Sequence, residues 1–436
     1  MKSAICRFTF FGALILIVSF AIAAEPDSSS WPLDRCIDQA LQSSAMFKAG
    51  RWSRQAAEAE YAENQSRLLP SLSANGSYAY TSETMHLNIA TPPIPGYTAP
   101  EIKFGDGNVY DLNLNARIPI YAGGAQRQQA MAKHFAARAA GFDLQADSLR
   151  LLRDVRRAYF EVVAAETRLE AADNRVARLS RHLEEIESAK KIGTVSEEMR
   201  LTALAGLRAA EGEELRLSAA ATAARLQLGN LVGLPDNEIK TAGELDSSLI
   251  TEGDEDIMQR PELSAFDHRI MQAQRAAMAA KGSFLPSLNG AAAYHYGRPG
   301  INQVQNEWMD YYTIGLNASW TLWDFGARSH RVNTFRMTGN ALNSSRESVE
   351  QFYRTMLAAA RSAVSSAKPA VIKMQEHLNL QREILGLVEG RLQAGMATEN
   401  EYLDAQDDLF TAETMWITAT AALRTAEADL LYAQGR

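Results

Sequence analysis

The chain has almost no cysteine. Of its two, Cys6 lies in the extreme N-terminal segment and Cys36 stands alone, so a mature chain has no internal disulfide. Long apolar runs are missing after the N-terminus. No later segment strings together the ~18 apolar residues of a spanning helix, so a chain that crosses a membrane must cross it as strands. Proline is absent from Ile120 to Leu234, a stretch of 115 residues, and after Pro299 only Pro369 remains. Long proline-free, Ala-, Leu-, Glu- and Arg-rich stretches permit long helices. Basic excess is missing too: 44 Lys+Arg stand against 52 Asp+Glu, which argues against a nucleic-acid partner. The seven histidines show no His-x-x-x-His spacing, and there is no Cys-x-x-Cys, Gly-x-Ser-x-Gly or phosphate loop. The expectation is therefore no enzyme, no cofactor and no metal. Acidic runs such as Glu184-Glu185, Glu197-Glu198 and Asp254-Glu255-Asp256 fit solvated faces or loops.

What is present begins at the N-terminus. Lys2 and Arg7 precede an apolar run from Phe8 to Ile22, followed by small residues at Ala21, Ala23 and Ala24. This pattern predicts a secretory signal peptide over residues 1–24. Its removal takes Lys2 and Arg7 away and moves the formal net charge from −8 to −10. Cys36 sits in Trp-Pro-Leu-Asp-Arg-Cys, which is no lipobox, so no lipid anchor is expected.

Leu169, Ala172, Val176, Leu179, Leu183 and Ile186 step by 3, 4, 3, 4, 3, a heptad seam. Leu378, Leu385, Val388 and Leu392 repeat the seam type. The pattern predicts a helix from about 124 to 191, roughly 100 Å long at 1.5 Å per residue. It turns at Gly193 and returns over 196–231. A second hairpin is predicted from 327 to 392, with a turn at Gly395 and a return from 399 to the end.

Other windows alternate with period two. Tyr110, Leu112, Leu114, Ala116, Ile118 and Ile120 interleave with polar residues, as do Tyr312, Ile314, Leu316, Ala318, Trp320 and Leu322. Two shorter strand candidates begin at Leu69 (LPSLSANGSYAYT) and Leu285 (LPSLNGAAAYHYG). Tyr and Trp concentrate around these strands, as in the interfacial girdles of membrane barrels. The strands alone fit a soluble sheet with one wet face equally well.

An internal repeat organises these segments. A shift of 202 residues lays LNARIPIYAGGAQ (114–126) on LNASWTLWDFGAR (316–328), Gly193 on Gly395, Leu207 on Leu409 and Leu228 on Leu430. The first strands match at 216, which places the 14 extra residues of the first copy in the loop 83–108. The expected domains are a first repeat over 25–234, an acidic linker over 235–260 and a second repeat over 261–436. Each repeat reads helix, strand, loop, strand, long helix, turn, helix. Four strands cannot close a sheet, and open edges are not tolerated in lipid, so a membrane role requires oligomerisation.

The chain resembles the TolC family of outer-membrane efflux proteins. The marks are LLPSLSANGSY and FLPSLNGAAAY, the strand ends IPIYAGG and WTLWDFG, and the turn segments IGTVSEEMRLTAL and AGMATENEYLDAQ, in order from about Leu33 to the C-terminus. The resemblance implies an α+β membrane protein: a homotrimer with one twelve-stranded β-barrel, four strands per chain, in outer-membrane lipid. A coiled-coil α-helical barrel continues it into the periplasm. The implied function is a passive, gated conduit in a tripartite efflux or type I secretion system, with a periplasmic adaptor and an inner-membrane pump as partners. Two acids three apart, the second followed by Ala, ring the periplasmic mouth in that family, which maps onto Glu401 and Asp404. Thr398-x-x-Glu401 equally fits a capping box. The turns Ile192-Gly193-Thr194 and Ala394-Gly395-Met396 resemble adaptor-docking turns, although glycine punctuation alone explains both glycines. At the family's gate Arg and Tyr positions this chain has Ala397 and Leu392. The alternative reading is a periplasmic coiled-coil adaptor or scaffold with no barrel.

Overall fold

The structure is a computed structural model that describes residues 30–84, 86–87, 102–103, 106–235, 240–241, 245, 249, 259–302 and 305–436. The signal segment, most of the acidic linker 235–260 and most of the loop 83–108 lie outside the described residues.

Strand β1 (Ser30–Trp31) leads into α1 (Leu33–Ser43) and α2 (Ala45–Ser66), the latter capped by the Ser44 hydroxyl, which accepts from Phe47 N. Then come β2 (Ser71–Tyr80), the short pair β3 (His86–Leu87) and β4 (Ile102–Lys103), and β5 (Asn108–Ala122). The long helix α3 (Ala125–Lys191) has 67 residues and therefore spans about 100 Å. It is followed by α4 (Glu197–Val232), β6 (Lys240–Thr241), which pairs in parallel with β1, and α5 (Pro261–Gly282). The second copy supplies β7 (Ser287–Arg298), β8 (Met309–Ser319), α6 (Ala327–Gln393) and α7 (Glu399–Gln434).

One expectation needs correction. The second strand of the later copy stops at Ser319, so Trp320 and Leu322 lie outside it. The physical reason is the ladder: Ser319 pairs with Ser287, the first residue of β7, and beyond it the chain offers no partner. Trp320 instead donates its indole N–H to the Phe284 carbonyl. Pro369 does not end the second long helix, because α6 runs through it. Proline deprives the Ser365 carbonyl of its helical donor, but both residues sit on an exposed face where water can serve that carbonyl.

β2, β5, β7 and β8 form one antiparallel sheet in that order. Its register separates two faces. Cross-strand rungs Leu72–Ala116–Ala292–Ile314 and Ala74–Leu114–Tyr294–Tyr312 belong to one face, and Ser73–Asn115–Ala293–Thr313 and Asn75–Asn113–His295–Tyr311 to the other. The apolar face is bare: Leu72, Leu112, Ile314 and Leu316 are all more than half exposed. A bulge at Ile120 shifts the register where β5 leaves the sheet.

The helices form a matching layer. Near the sheet α2 packs on α3, α3 on α5 and α5 on α6; toward the far end the order becomes α4, α3, α7, α6. Val155, Tyr159 and Val162 of α3 form a core with Cys36 and Ala40 of α1 and Leu228 and Val232 of α4. Farther along, the predicted seam is realised: Leu179, Leu207, Leu378, Leu385, Tyr402 and Leu409 share one buried cluster. Sheet and helix layer alike end in open edges, β2 and β8 above, α2 or α4 and α6 below.

Candidate functional site: the hairpin tips and the duct wall

The two hairpin turns are built alike. Gly193 (φ 82°) and Gly395 (φ 65°) occupy the left-handed region that closes each first helix. Thr194 N donates to the Ala189 carbonyl at 3.1 Å and Met396 N to the Arg391 carbonyl at 2.8 Å, the six-residue closure of a Schellman turn. Ile192 and Ala394 are the helix C-caps, and the apolar Ile192 and Met396 project into solvent, 78% and 68% exposed. Each return helix then starts with a hydroxyl cap, Ser196 accepting from Met199 N and Thr398 from Glu401 N.

Glu401 has a defined local task. Its Oε2 accepts from Thr398 N at 2.7 Å and from the Thr398 hydroxyl, which completes a capping box. The Thr398 amide and hydroxyl, with Arg391 3.5 Å away, hold its carboxyl below the usual range. Asp404, one turn on, is exposed, and among the described residues it forms no ion pair. Asp408, which the sequence reasoning did not single out, continues the exposed face at i, i+3, i+7. It lies one further helical turn along, four residues after Asp404.

The sequence reasoning also missed what joins the two hairpins. His182 of α3 points its Nε2 at both Glu399 oxygens, 2.9 Å from each, and both side chains are nearly buried. The Tyr402 ring lies 4.3 Å from the imidazole. Arg178 donates to Gln406 at 3.1 Å, and Arg175 pairs with Asp407 while lying over the Phe410 ring. The group borders a cleft of about 420 Å³ that includes Glu185, Met199 and Leu392. No single motif marks these residues, because His182 and Glu399 are 217 positions apart.

Above the helices the duct wall is graded. On the polar face Asn75, Asn113 and Asn115 are hydrogen-bonded in a row, and Asp111 meets His295 Nδ1 at 3.0 Å. On the other face Tyr and Leu alternate along the strands.

These features have matches among known proteins. A family model described as outer membrane efflux protein matches residues 36–234 and 254–436. The chain belongs to the outer membrane efflux protein family. A comparison with curated protein sequences found no match. Among solved structures, a membrane protein from Pseudomonas aeruginosa is 19% identical, with TM-score 0.77 and 92% of each chain covered. The open state of the MtrE outer membrane channel of Neisseria gonorrhoeae is 21% identical, with TM-score 0.75, covering 92% of this chain and 88% of that one. The CmeC outer membrane channel of Campylobacter jejuni is 17% identical, with TM-score 0.74, covering 92% and 85%. This efflux protein is accordingly an outer-membrane channel extending into the periplasm, and its four-stranded sheet with the helical layer below it has the subunit fold of those channels. The bare Leu- and Tyr-rich face suits contact with lipid, and the Asn ladder on the opposite face suits contact with water. Among the described residues no helix is long and apolar enough to cross a membrane.

Proposed function

We propose that this efflux protein is a passive, gated conduit that forms a homotrimer and works with a periplasmic adaptor and an inner-membrane pump. One observation carries the reading: a sheet with one lipid-type and one polar face and a helical layer below it both end in unpaired edges. Three copies placed edge to edge satisfy all of them, with β8 of one chain beside β2 of the next and α6 beside its neighbour's α2 and α4. Exposed Trp52 on α2, Phe352 and Leu387 on α6 and Leu215 on α4 lie on those edge helices.

The adaptor contacts the exposed tips, Ile192, Gly193 and Thr194 in one hairpin and Ala394, Gly395 and Met396 in the other. Glu401 and Asp404 ring the mouth, six carboxylates in the trimer, favouring cations. Ala397 and Leu392 provide no polar closure. The His182–Glu399 and Arg175–Asp407 pairs across α3 and α7 take that role, and separating the hairpins there opens the mouth. The repeats over 25–234 and 261–436 divide the work, the first mainly wall and the second mainly gate.

Detergent extraction of outer-membrane fractions, followed by mass determination of the solubilised species, tests the reading. A trimer is expected; recovery as a soluble periplasmic monomer favours the coiled-coil adaptor or scaffold instead.

A further inference from the structure

The polar face of the barrel carries few charges, and their placement is uneven. Near the outer end Asp111 is engaged by His295 and Asn113. Deeper in, four residues per chain form each rung. The rung Ser71–Arg117–Ala291–Gly315 holds one long cation among three small residues. Its neighbours, Ser73–Asn115–Ala293–Thr313 on one side and Asn289 and Asn317 on the other, contain no acid. Arg117 is exposed, and among the described residues no hydrogen bond or ion pair engages it. β5 is flanked by β2 and β7 of its own chain, so assembly adds no new strand beside Arg117. It borders a hollow of about 800 Å³ at the base of the sheet, where the nearby Arg67 is already paired with Glu63. The repeat does not duplicate it, because Ser319 stands at the matching position.

We propose that the three Arg117 side chains of the trimer form an anion-binding ring at the base of the barrel lumen, which takes phosphate or carboxylate groups of solutes in transit. The proposal rests on the channel reading. Twelve strands ~4.8 Å apart and tilted roughly 40° enclose a backbone cylinder on the order of 24 Å across. Three inward-pointing guanidinium groups in it lie on the order of 10 Å apart, about one Debye length at 0.1 M salt. Their fields overlap there, so one multivalent anion feels all three. Guanidinium suits the task because its planar fork of donors matches phosphate and carboxylate oxygens.

The test uses purified trimers in planar bilayers with inorganic tripolyphosphate added from the extracellular side, where it reaches the barrel without passing the periplasmic mouth. The wild type is expected to show block that weakens steeply from 0.1 to 1 M KCl, as the Debye length falls from about 10 to about 3 Å. Arg117→Gln is expected to raise the half-blocking concentration about five-fold or more, and Arg117→Lys to keep most of the block. A conducting wild type that tripolyphosphate does not block, or equal block in wild type and Arg117→Gln, overturns the proposal. Wild-type protein that forms no conducting species fails the channel reading itself, which keeps the two failures apart.

Discussion

If the pairs between α3 and α7 close the mouth, the sharpest perturbation is Glu399→Gln. His182 Nε2 lies 2.9 Å from both Glu399 oxygens, at side-chain exposures of 11% and 7%. Gln keeps the shape and one acceptor oxygen while removing the charge. A hydrogen bond to a charged group contributes about 1.5–3 kcal/mol and a neutral one about 0.5–1.5, so the loss is about 1 kcal/mol per chain. That corresponds to roughly a five-fold shift from closed to open for each chain. Glu399→Ala is harsher, because it leaves His182 Nε2 without its partner, and an unsatisfied buried polar group costs about 1–3 kcal/mol. The adjoining cleft admits water to the stranded imidazole, which places the cost near the lower end. Single-channel recording of open probability at neutral pH reads both variants. The double variant His182→Ala/Glu399→Ala is expected to be little worse than Glu399→Ala, since the interaction is already lost. Effects of the singles that simply add, or a Glu399→Ala channel that gates like wild type, refute the reasoning.

Other consequences are checked separately. Replacing Glu401 and Asp404 with Ala is expected to reduce cation preference and block by multivalent cations, with Glu401→Ala also loosening the start of α7 by removing the carboxylate of its capping box; unchanged selectivity removes the ring. Because Glu401's folded-state carboxyl is held below its ordinary value by Thr398, its contribution is complete above the unfolded pKa of about 4.3 and is lost as pH falls through the lowered value. Protection of the Thr398 amide, taken relative to the intrinsic exchange rate at each pH, is expected to fall in acid in the wild type and to lose that dependence in Glu401→Gln. Bulky residues at Gly193 and Gly395, both at positive φ, are expected to abolish export while trimers still form, as followed by export assay and native mass spectrometry. Leu378→Ala, at 1% exposure inside the four-helix cluster, is expected to cost about 2–5 kcal/mol in denaturant unfolding. Leu387→Ala, 70% exposed on the edge helix, is expected to leave the chain's own packing intact and weaken the trimer.

Periodicity determined much of this architecture. A two-residue alternation has only one way to give a strand two different faces, and a 3–4 seam only one stripe to bury, so β5, α3 and the seam around Leu179 and Leu378 were legible within a few residues. The glycines at 193 and 395 were legible for the same local reason, since a helix stop needs a left-handed residue and glycine adopts that conformation without a Cβ penalty. The offset of 202 residues set the order of elements in the second copy from the first.

Tertiary structure decided what depends on residues distant in the chain. Ser319 ends β8 because its ladder partner is the first residue of β7, a limit that the continuing alternation through Leu322 does not contain. Pro369 is tolerated because the carbonyl it strands faces water, a matter of which side of α6 meets a neighbour. The link between His182 and Glu399, the rung that leaves Arg117 among small residues and the order of the strands between the two open edges all arise from pairings across the repeat. Local chemistry wrote the elements, and the packing of one copy against the other brought side chains distant in the chain together.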